Sequence, residues 1–480
     1  MVVVMGNTVA AGEARVGSDH MKEGEKVVHL RDVCKADVPF PLVPADWNDF
    51  VKANQKHLRQ LEAAAISDLR SFAHNSALPI SLSFSGGKDS LACYGLTKKA
   101  LGRFDLLFID TGLEFPETVQ YVRSFARSRG ERLRVAKAGN AFWENVGAFG
   151  PPAKDFRWCC KVCKLGPLAA LIEENYRQGT VTVEGNRALE SFARSRIGFV
   201  ERNPFVPNQT VLNPIRDWRA AEVWGYIWME GLEYNPLYEQ DLERIGCYLC
   251  ASCLGSEWRA VRQLHPDLYS EWERWLGEWG ERVGVSPDFV RYGFWRWKAL
   301  PPKMRLVADE LHMKVPQMRN DSMELRISKG ASPCVAGGFS MEGVLTIPRK
   351  RDFSQVAEAL KTVGKVKFSP EFEAVMVKTK GGTLKMFGGG HISAIAPTKE
   401  EAERLFRAGA EAFLRGQLCT SCRICERNCR FKAITADGQL KVDERLCQQC
   451  GECAKACVVA HYYDKLVQAG DGKPVYAGVK

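Results

Sequence analysis

Near its C-terminal end the chain repeats one spacing of cysteines, and this repeat limits the fold more than any other feature. CTSCRICERNC sets Cys419, Cys422, Cys425 and Cys429 in the order C-x2-C-x2-C-x3-C, and CQQCGECAKAC sets Cys447, Cys450, Cys453 and Cys457 in the same order. A thiol at every third position makes each run curl as a loop around whatever its sulfurs bind. A secreted disulfide scaffold would be short and evenly stapled. Here 17 cysteines fall mostly in tight clusters within 480 residues, which points to metal. The length suggests about three to four domains. A hydrophobic share of 45% and a charged share of 26% are those of a soluble globular protein. No apolar run approaches the roughly 20 residues of a membrane span. The opening MVVVMGNTVAAGEARVG has too short an apolar part, and no basic lead, for a secretory signal. The expectation is a cytoplasmic chain without membrane contact. Its net charge of +10 suits an ordinary solvated surface and equally one that attracts nucleotides, sulfate esters or RNA.

The doubled run resembles the bacterial two-cluster ferredoxins. That resemblance implies a ferredoxin-type domain over 417–465 holding two [4Fe–4S] clusters as an electron wire. One cluster would take Cys419, Cys422, Cys425 and Cys457, and the other Cys447, Cys450, Cys453 and Cys429. The proline that usually follows each fourth cysteine is replaced by Arg430 and Val458. Zinc is the alternative occupant, and eight cysteines in duplicated order argue against it.

A second motif lies between a buried-type strand and a helix. SFSGGKDS places Ser85, Gly86, Gly87, Lys88, Asp89 and Ser90 where backbone N–H groups and a helix N-terminus converge on one anion. It lacks the Walker spacing and resembles the PP-loop nucleotide hydrolases. Strands at DLLFID (105–110), LRVAKA and TVTVEG (180–185) alternate with helical stretches, so the fold class is α/β with a doubly wound parallel sheet. Two further stretches resemble the sulfonucleotide reductases of that superfamily. LFIDTGLEFPETVQYV carries Asp110, Thr111 and Gly112, and GNRALESFARS carries Arg187, Glu190, Ser191 and Arg194. The resemblance covers about residues 78–255. It implies an adenine nucleotide alpha hydrolase-like domain over 46–300 that binds the nucleotide with residues 85–90 and 110–112. Lys88, Arg187 and Arg194 would meet phosphate and sulfate oxygens.

WCCKVCKLGPL and IGCYLCASC supply Cys159, Cys160, Cys247 and Cys250. In the iron–sulfur branch of the reductases such cysteines hold a [4Fe–4S] cluster beside the nucleotide, which makes a third cluster the expectation. Cys163 and Cys253 are additional. The mobile Glu-Cys-Gly-x-His tail of those reductases, whose thiolate attacks the sulfur, is not found, and the sequence closes on GDGKPVYAGVK. Cys163 or Cys253 would then be the nucleophile, with Lys161, Lys164 or Arg259 lowering its pKa. Otherwise the clusters reduce the substrate directly, or both thiols only pack or ligate.

Residues 1–33, with strand-like VVVM and KVVHL, resemble the closing strands of an RNA-binding PUA domain, as though the chain began inside one. Residues 215–300 are helical and aromatic, and residues 320–416 read as a small α+β module with Lys378, Lys380 and Lys385 on adjacent strands. The leading expectation is a phosphoadenylyl-sulfate or adenylyl-sulfate reductase of sulfate assimilation, drawing on a reduced electron donor through its own ferredoxin domain. The alternative is an ATP-dependent sulfur transferase acting on tRNA or a small molecule, and a plain electron carrier stands third. RNA and a second copy of the chain are the remaining partner expectations.

Overall fold

The computed structural model describes residues 2–5, 8–14, 28–35, 46–191, 194–240, 242–313, 315, 323–331, 338–347 and 351–469. The closing GDGKPVYAGVK lies outside them, as do Phe192 and Ala193 of the arginine motif and most of the linker between the PUA-like strands. Three N-terminal strands, β1 (Val2–Met5), β2 (Thr8–Ala14) and β3 (Val28–Lys35), form an antiparallel sheet in that order.

Helix α1 (Trp47–His74) begins at Asp46, whose carboxylate accepts from the Asp49 N–H in a reciprocal capping box. Leu58, Ala65 and Leu69 on its inner face are buried. Trp47 is 63% exposed and rests on Trp228 with ring centroids 4.2 Å apart. A six-stranded sheet follows: β4 (Ile80–Ser83), β5 (Asp105–Asp110), β6 (Arg132–Lys137), β7 (Thr180–Val183), β8 (Val200–Arg202) and β9 (Gln209–Leu212). Its spatial order is β6-β5-β4-β7-β9-β8, parallel throughout except for the antiparallel edge pair β8–β9.

Alternate side chains of β5 divide between two cores. Leu106 and Phe108 join a cluster with residues of α1, α2 (Lys88–Leu101), α3 (Pro116–Ser128) and a later helix over 220–229, whereas Leu107 joins one with residues 168–176. Helices therefore cover both faces. The chain steps from β4 outward to β5 and β6, then returns to the other side of β4 as β7. That reversal opens a crevice at the C-terminal ends of the strands. The aromatic stretch is packing: Trp272, Trp279, Phe294 and Trp295 are all buried in one core.

A second sheet gathers β10 (Glu324–Ala331), β11 (Phe339–Thr346), β12 (Lys365–Ser369), β13 (Ala374–Thr379), β14 (Gly382–Phe387) and β15 (His391–Ala396). The cysteine repeats flank the hairpin β16 (Ile434–Asp437) and β17 (Gln439–Val442), and the chain then returns as β18 (Gln468–Ala469). β18 pairs with β10, giving the order β12-β13-β14-β15-β11-β10-β18. The expected division at 416–417 falls within a helix, Lys399–Leu418, that runs directly into Cys419. Gln355 and Glu358 accept backbone N–H groups of Leu440 and Val442, each at 2.8 Å. The α+β module and the cysteine segment thus share a sheet and hydrogen bonds.

Candidate nucleotide and cysteine centres

The PP-loop turn joins β4 to α2. Gly86 has φ +78, and a Cβ there would lie 3.0 Å from Val122, so both backbone and space call for glycine. Ser90 Oγ donates to the Gly87 carbonyl at 2.8 Å, and the Gly87 N–H reaches Ser85 Oγ at 3.4 Å. The Lys88 N–H donates to the Tyr238 hydroxyl at 2.8 Å. Lys88 itself is 6% exposed, with Nζ 3.3 Å from Asp89 Oδ2. The other Asp89 oxygen receives Arg187 Nε at 2.6 Å. Arg194 pairs with Glu190.

These groups line a cavity of about 580 Å³ whose wall includes Ser85, Gly87, Lys88, Asp89, Arg187 and Arg194. Ser90 also borders it, while Gly86 is not in its wall. Sequence reading missed Tyr238, Arg219 and Arg244 on the same wall. Arg219 and Tyr238 lie in the stretches NPIRDWRAAEVWGYI and YNPLYEQDLERIGC, which continue the reductase resemblance, and that was the available signal. Gly185 is pinned here too, since a Cβ would meet the Asp89 backbone at 2.7 Å. Gly185→Ala is expected to destabilise the fold by about 1–3 kcal/mol and to weaken nucleotide binding. Denaturant unfolding and equilibrium dialysis would check both.

Asp110, Thr111 and Gly112 do not line this cavity. Of the three, Thr111 lies beside a cysteine. Asp110 Oδ1 accepts from the Gly112 N–H at 3.1 Å. Thr111 donates from N–H and Oγ1 to Glu114, each at 2.7 Å, and its Oγ1 is 3.6 Å from Cys247 Sγ. Glu114 and Cys247 also form an antiparallel bridge. Thr111 thus supports the cysteine loop, and nucleotide contact by residues 110–112 stands as a proposal.

Cys159 and Cys160 open a π-helical turn, Cys160–Leu165. Cys160 is pushed down to about 6 chiefly by the hydrogen bond from Cys159, whose own thiol is pushed up by the same bond. Cys250 is held well below the usual thiol range by its hydrogen bond from Cys253. Burial pushes Cys247 up to about 12. Lys164 is held above the usual range, first by Cys247. The four ligand candidates, Cys159, Cys160, Cys247 and Cys250, thus act on one another electrostatically, with a lysine among them.

The two nucleophile candidates fare differently. Cys163 is 1% exposed, and burial pushes its thiol up to about 12. Cys253 is pushed up because it gives its hydrogen to Cys250. Neither lines the cavity. Lys161 lies over the Phe205 ring, 3.8 Å from its centroid, and Arg259 is exposed. The nucleophile role of Cys163 or Cys253 stands as a proposal that the burial of Cys163 and the place of both outside the cavity wall do not favour.

In the C-terminal repeats, Cys419, Cys422, Cys425 and Cys457 influence one another's thiols. Cys447 feels Cys453, Cys429 and Cys450. Ser421 and Arg423 in the first run, and Gln449 and Gly451 at the same places in the second, have φ of 53, 58, 53 and 78. Three of these are not glycine, and left-handed backbone costs about 1–2 kcal/mol per such residue. Both runs therefore share the same left-handed turn positions around their second cysteine. Arg415, 3% exposed, places a guanidinium beside Cys453. Among the described residues no three His, Cys, Asp or Glu side chains close on a single ion. An all-thiol donor set and a buried cation beside Cys453 fit an anionic polynuclear group.

A profile of the phosphoadenosine phosphosulfate reductase domain matches residues 79–253. The uncharacterized protein MJ0973 of Methanocaldococcus jannaschii is 39% identical over 289 residues, 59% of this chain and 67% of that protein. The adenosine 5'-phosphosulfate reductase of Staphylococcus epidermidis is 29% identical over 175 residues, 35% of this chain and 69% of the relative. Among solved structures, phosphoadenylyl-sulfate reductase from Candida auris, in a phosphate complex, aligns with 42% of this chain and 97% of its own. Its identity is 21% and its TM-score 0.32. The chain therefore belongs to one family with the archaeal protein, and its residues 79–253 match the phosphoadenosine phosphosulfate reductase domain.

Proposed function

We propose that this protein is an iron–sulfur sulfonucleotide reductase that converts adenylyl sulfate or its 3′-phosphorylated form to sulfite. One observation carries the reading. Glu243, Arg244, Ile245 and Leu254 line the anion cavity, and Cys247 and Cys250 lie on the loop between them. Lys88, Arg187 and Arg194 would hold the phosphosulfate, and Cys159, Cys160, Cys247 and Cys250 would hold a [4Fe–4S] cluster beside it. The reaction adds two electrons to adenylyl sulfate and yields AMP and sulfite. The sulfur–oxygen bond to the phosphate breaks, its pair stays on the phosphate oxygen, and the added electrons become the lone pair of sulfite. When bound, the clusters supply those electrons one at a time.

Contacts between the two halves support delivery from the C-terminal cysteines. A Cβ on Gly166 would sit 3.2 Å from that of Cys422. Arg427 pairs with Glu173 at 3.0 Å and donates to the Cys422 carbonyl at 2.9 Å. Phe156 meets Tyr462 edge-on with centroids 4.9 Å apart. With Cys163 and Cys253 both away from the cavity, direct electron transfer replaces attack by a thiolate. Cys163→Ser and Cys253→Ser are each expected to keep iron and sulfite formation. Loss of sulfite in a variant with full iron would identify a nucleophile instead.

A second reading, ATP-dependent sulfur transfer to RNA, is favoured by the open face of the second sheet. Lys365 stands directly across from Lys378, and Lys367 and Lys385 flank Met376 in the same register. Like charges directly opposite are unfavourable, and β12, β13 and β14 contain no acidic residue. Anaerobic turnover with adenylyl sulfate, its 3′-phosphorylated form, and ATP plus tRNA separates the two. Sulfite from either sulfonucleotide supports reduction. Cleavage of ATP to AMP and pyrophosphate, with no sulfite, supports transfer. No helix among the described residues is long and apolar enough to cross a membrane.

A further inference from the structure

The helix Lys399–Leu418 buries a full positive charge that, among the described residues, no carboxylate meets in a direct ion pair. Arg415 is 3% exposed. Its Nη1 donates to Thr362 Oγ1 at 3.1 Å and its Nη2 to Cys453 Sγ at 3.5 Å. Among the described residues no ion pair joins it. Glu411, one turn back, is taken by Arg407 at 2.9 Å, and Arg407 also holds Asp464 at 3.0 Å. A buried ion without a counter-charge costs several kcal/mol, and arginine cannot shed its proton to escape that cost. Glu411 lies within electrostatic reach of the guanidinium, but its direct ion pair is with Arg407, and the groups that Arg415 itself touches are Thr362 Oγ1 and Cys453 Sγ. Cys453 belongs to the second cysteine set. Cys457 and Cys425, of the first set, also lie within electrostatic reach of the guanidinium.

We infer that Arg415 is the shared internal counter-charge of both C-terminal cysteine centres and holds their reduction potentials up. The inference rests on the reading that each centre carries a [4Fe–4S] cluster. Four thiolates on a 2+ core carry a net charge of −2. One electron from an external one-electron donor makes it −3, with no bond broken and no proton moved. A fixed cation, and an N–H aimed at a ligand sulfur, stabilise the more negative state and raise the potential. The guanidinium touches Cys453 of the second set, and its field reaches Cys425 and Cys457 of the first, so it acts on the two centres together. Arg415 is a positioning residue in this sense, since it touches the ligands and not the substrate.

The test is a redox titration of the full chain, purified without oxygen and followed by electron paramagnetic resonance, with iron counted first. Wild-type protein without iron in the C-terminal centres would sink the cluster reading itself, before any potential is measured. Arg415→Met and Arg415→Gln remove the charge, the second keeping a donor for Cys453. Arg415→Lys keeps the charge and loses the fork. In a neutral variant that retains its iron, both C-terminal centres are expected to become at least tenfold harder to reduce, a fall of 59 mV for one electron. Arg415→Lys should stay close to wild type. The centre at Cys159 should not move and serves as an internal control. Unchanged potentials in an iron-replete neutral variant would overturn the inference. If neither neutral variant holds iron while Arg415→Lys does, the charge is required for the centres, which supports the inference. If Arg415→Lys loses iron as well, the residue is structural and the inference fails.

Discussion

Anaerobically purified protein is expected to carry about twelve irons per chain, as three four-iron groups, and to lose them in a pattern that crosses the two C-terminal runs. Cys457→Ser should disturb the centre of Cys419, Cys422 and Cys425, whose thiols feel Cys457 and lie in the other run. Cys429→Ser should disturb that of Cys447, Cys450 and Cys453. Paired replacement of Cys422 and Cys450 by Ser should damage only the C-terminal centres. Paired replacement of Cys160 and Cys247 should remove about four irons and leave about eight. Iron analysis with electron paramagnetic resonance reads each outcome. Wild-type content near eight irons would remove the centre at Cys159, and damage confined to the mutated run would contradict the interleaved assignment.

Lys88→Ala is expected to weaken adenine nucleotide binding by about 1.5–3 kcal/mol, roughly ten- to a hundredfold, because hydrogen bonds to charged groups are of that size. Lys88 is nearly buried at the start of α2, and Arg187 already shares its Asp89 partner. The ammonium therefore remains available to a phosphate oxygen without leaving Asp89 unpaired. Iron content should not change, since Lys88 touches none of the cysteines. Calorimetric titration with AMP, ATP and adenylyl sulfate would check this. Unchanged affinity for all three would remove the PP-loop assignment.

The family resemblance could be read from short stretches because their chemistry is local. SFSGGKDS describes a strand, a left-handed glycine turn and a helix start within eight residues, and the structure has β4, Gly86 at φ +78 and α2 in those places. The alternation of strands and helices likewise announced a parallel sheet. Side chains that reach across the fold could not be read this way. Tyr238, which receives the Lys88 N–H, looked like one aromatic among many.

Covalent spacing and backbone sterics determine what a few adjacent residues can do, and these the sequence carried by itself: two loops of thiols, an anion turn, a strand–helix alternation. Burial and long-range contact decided the rest. Tertiary structure set Thr111 beside Cys247, bonded to Glu114. It raised the Cys163 thiol by enclosing it. It carried β18 back to β10, so that the α+β module and the cysteine segment share one sheet. A thiol's reactivity and a strand's partner depend on the surrounding dielectric and on which distant backbone offers a free edge, and neither quantity exists until the chain has folded.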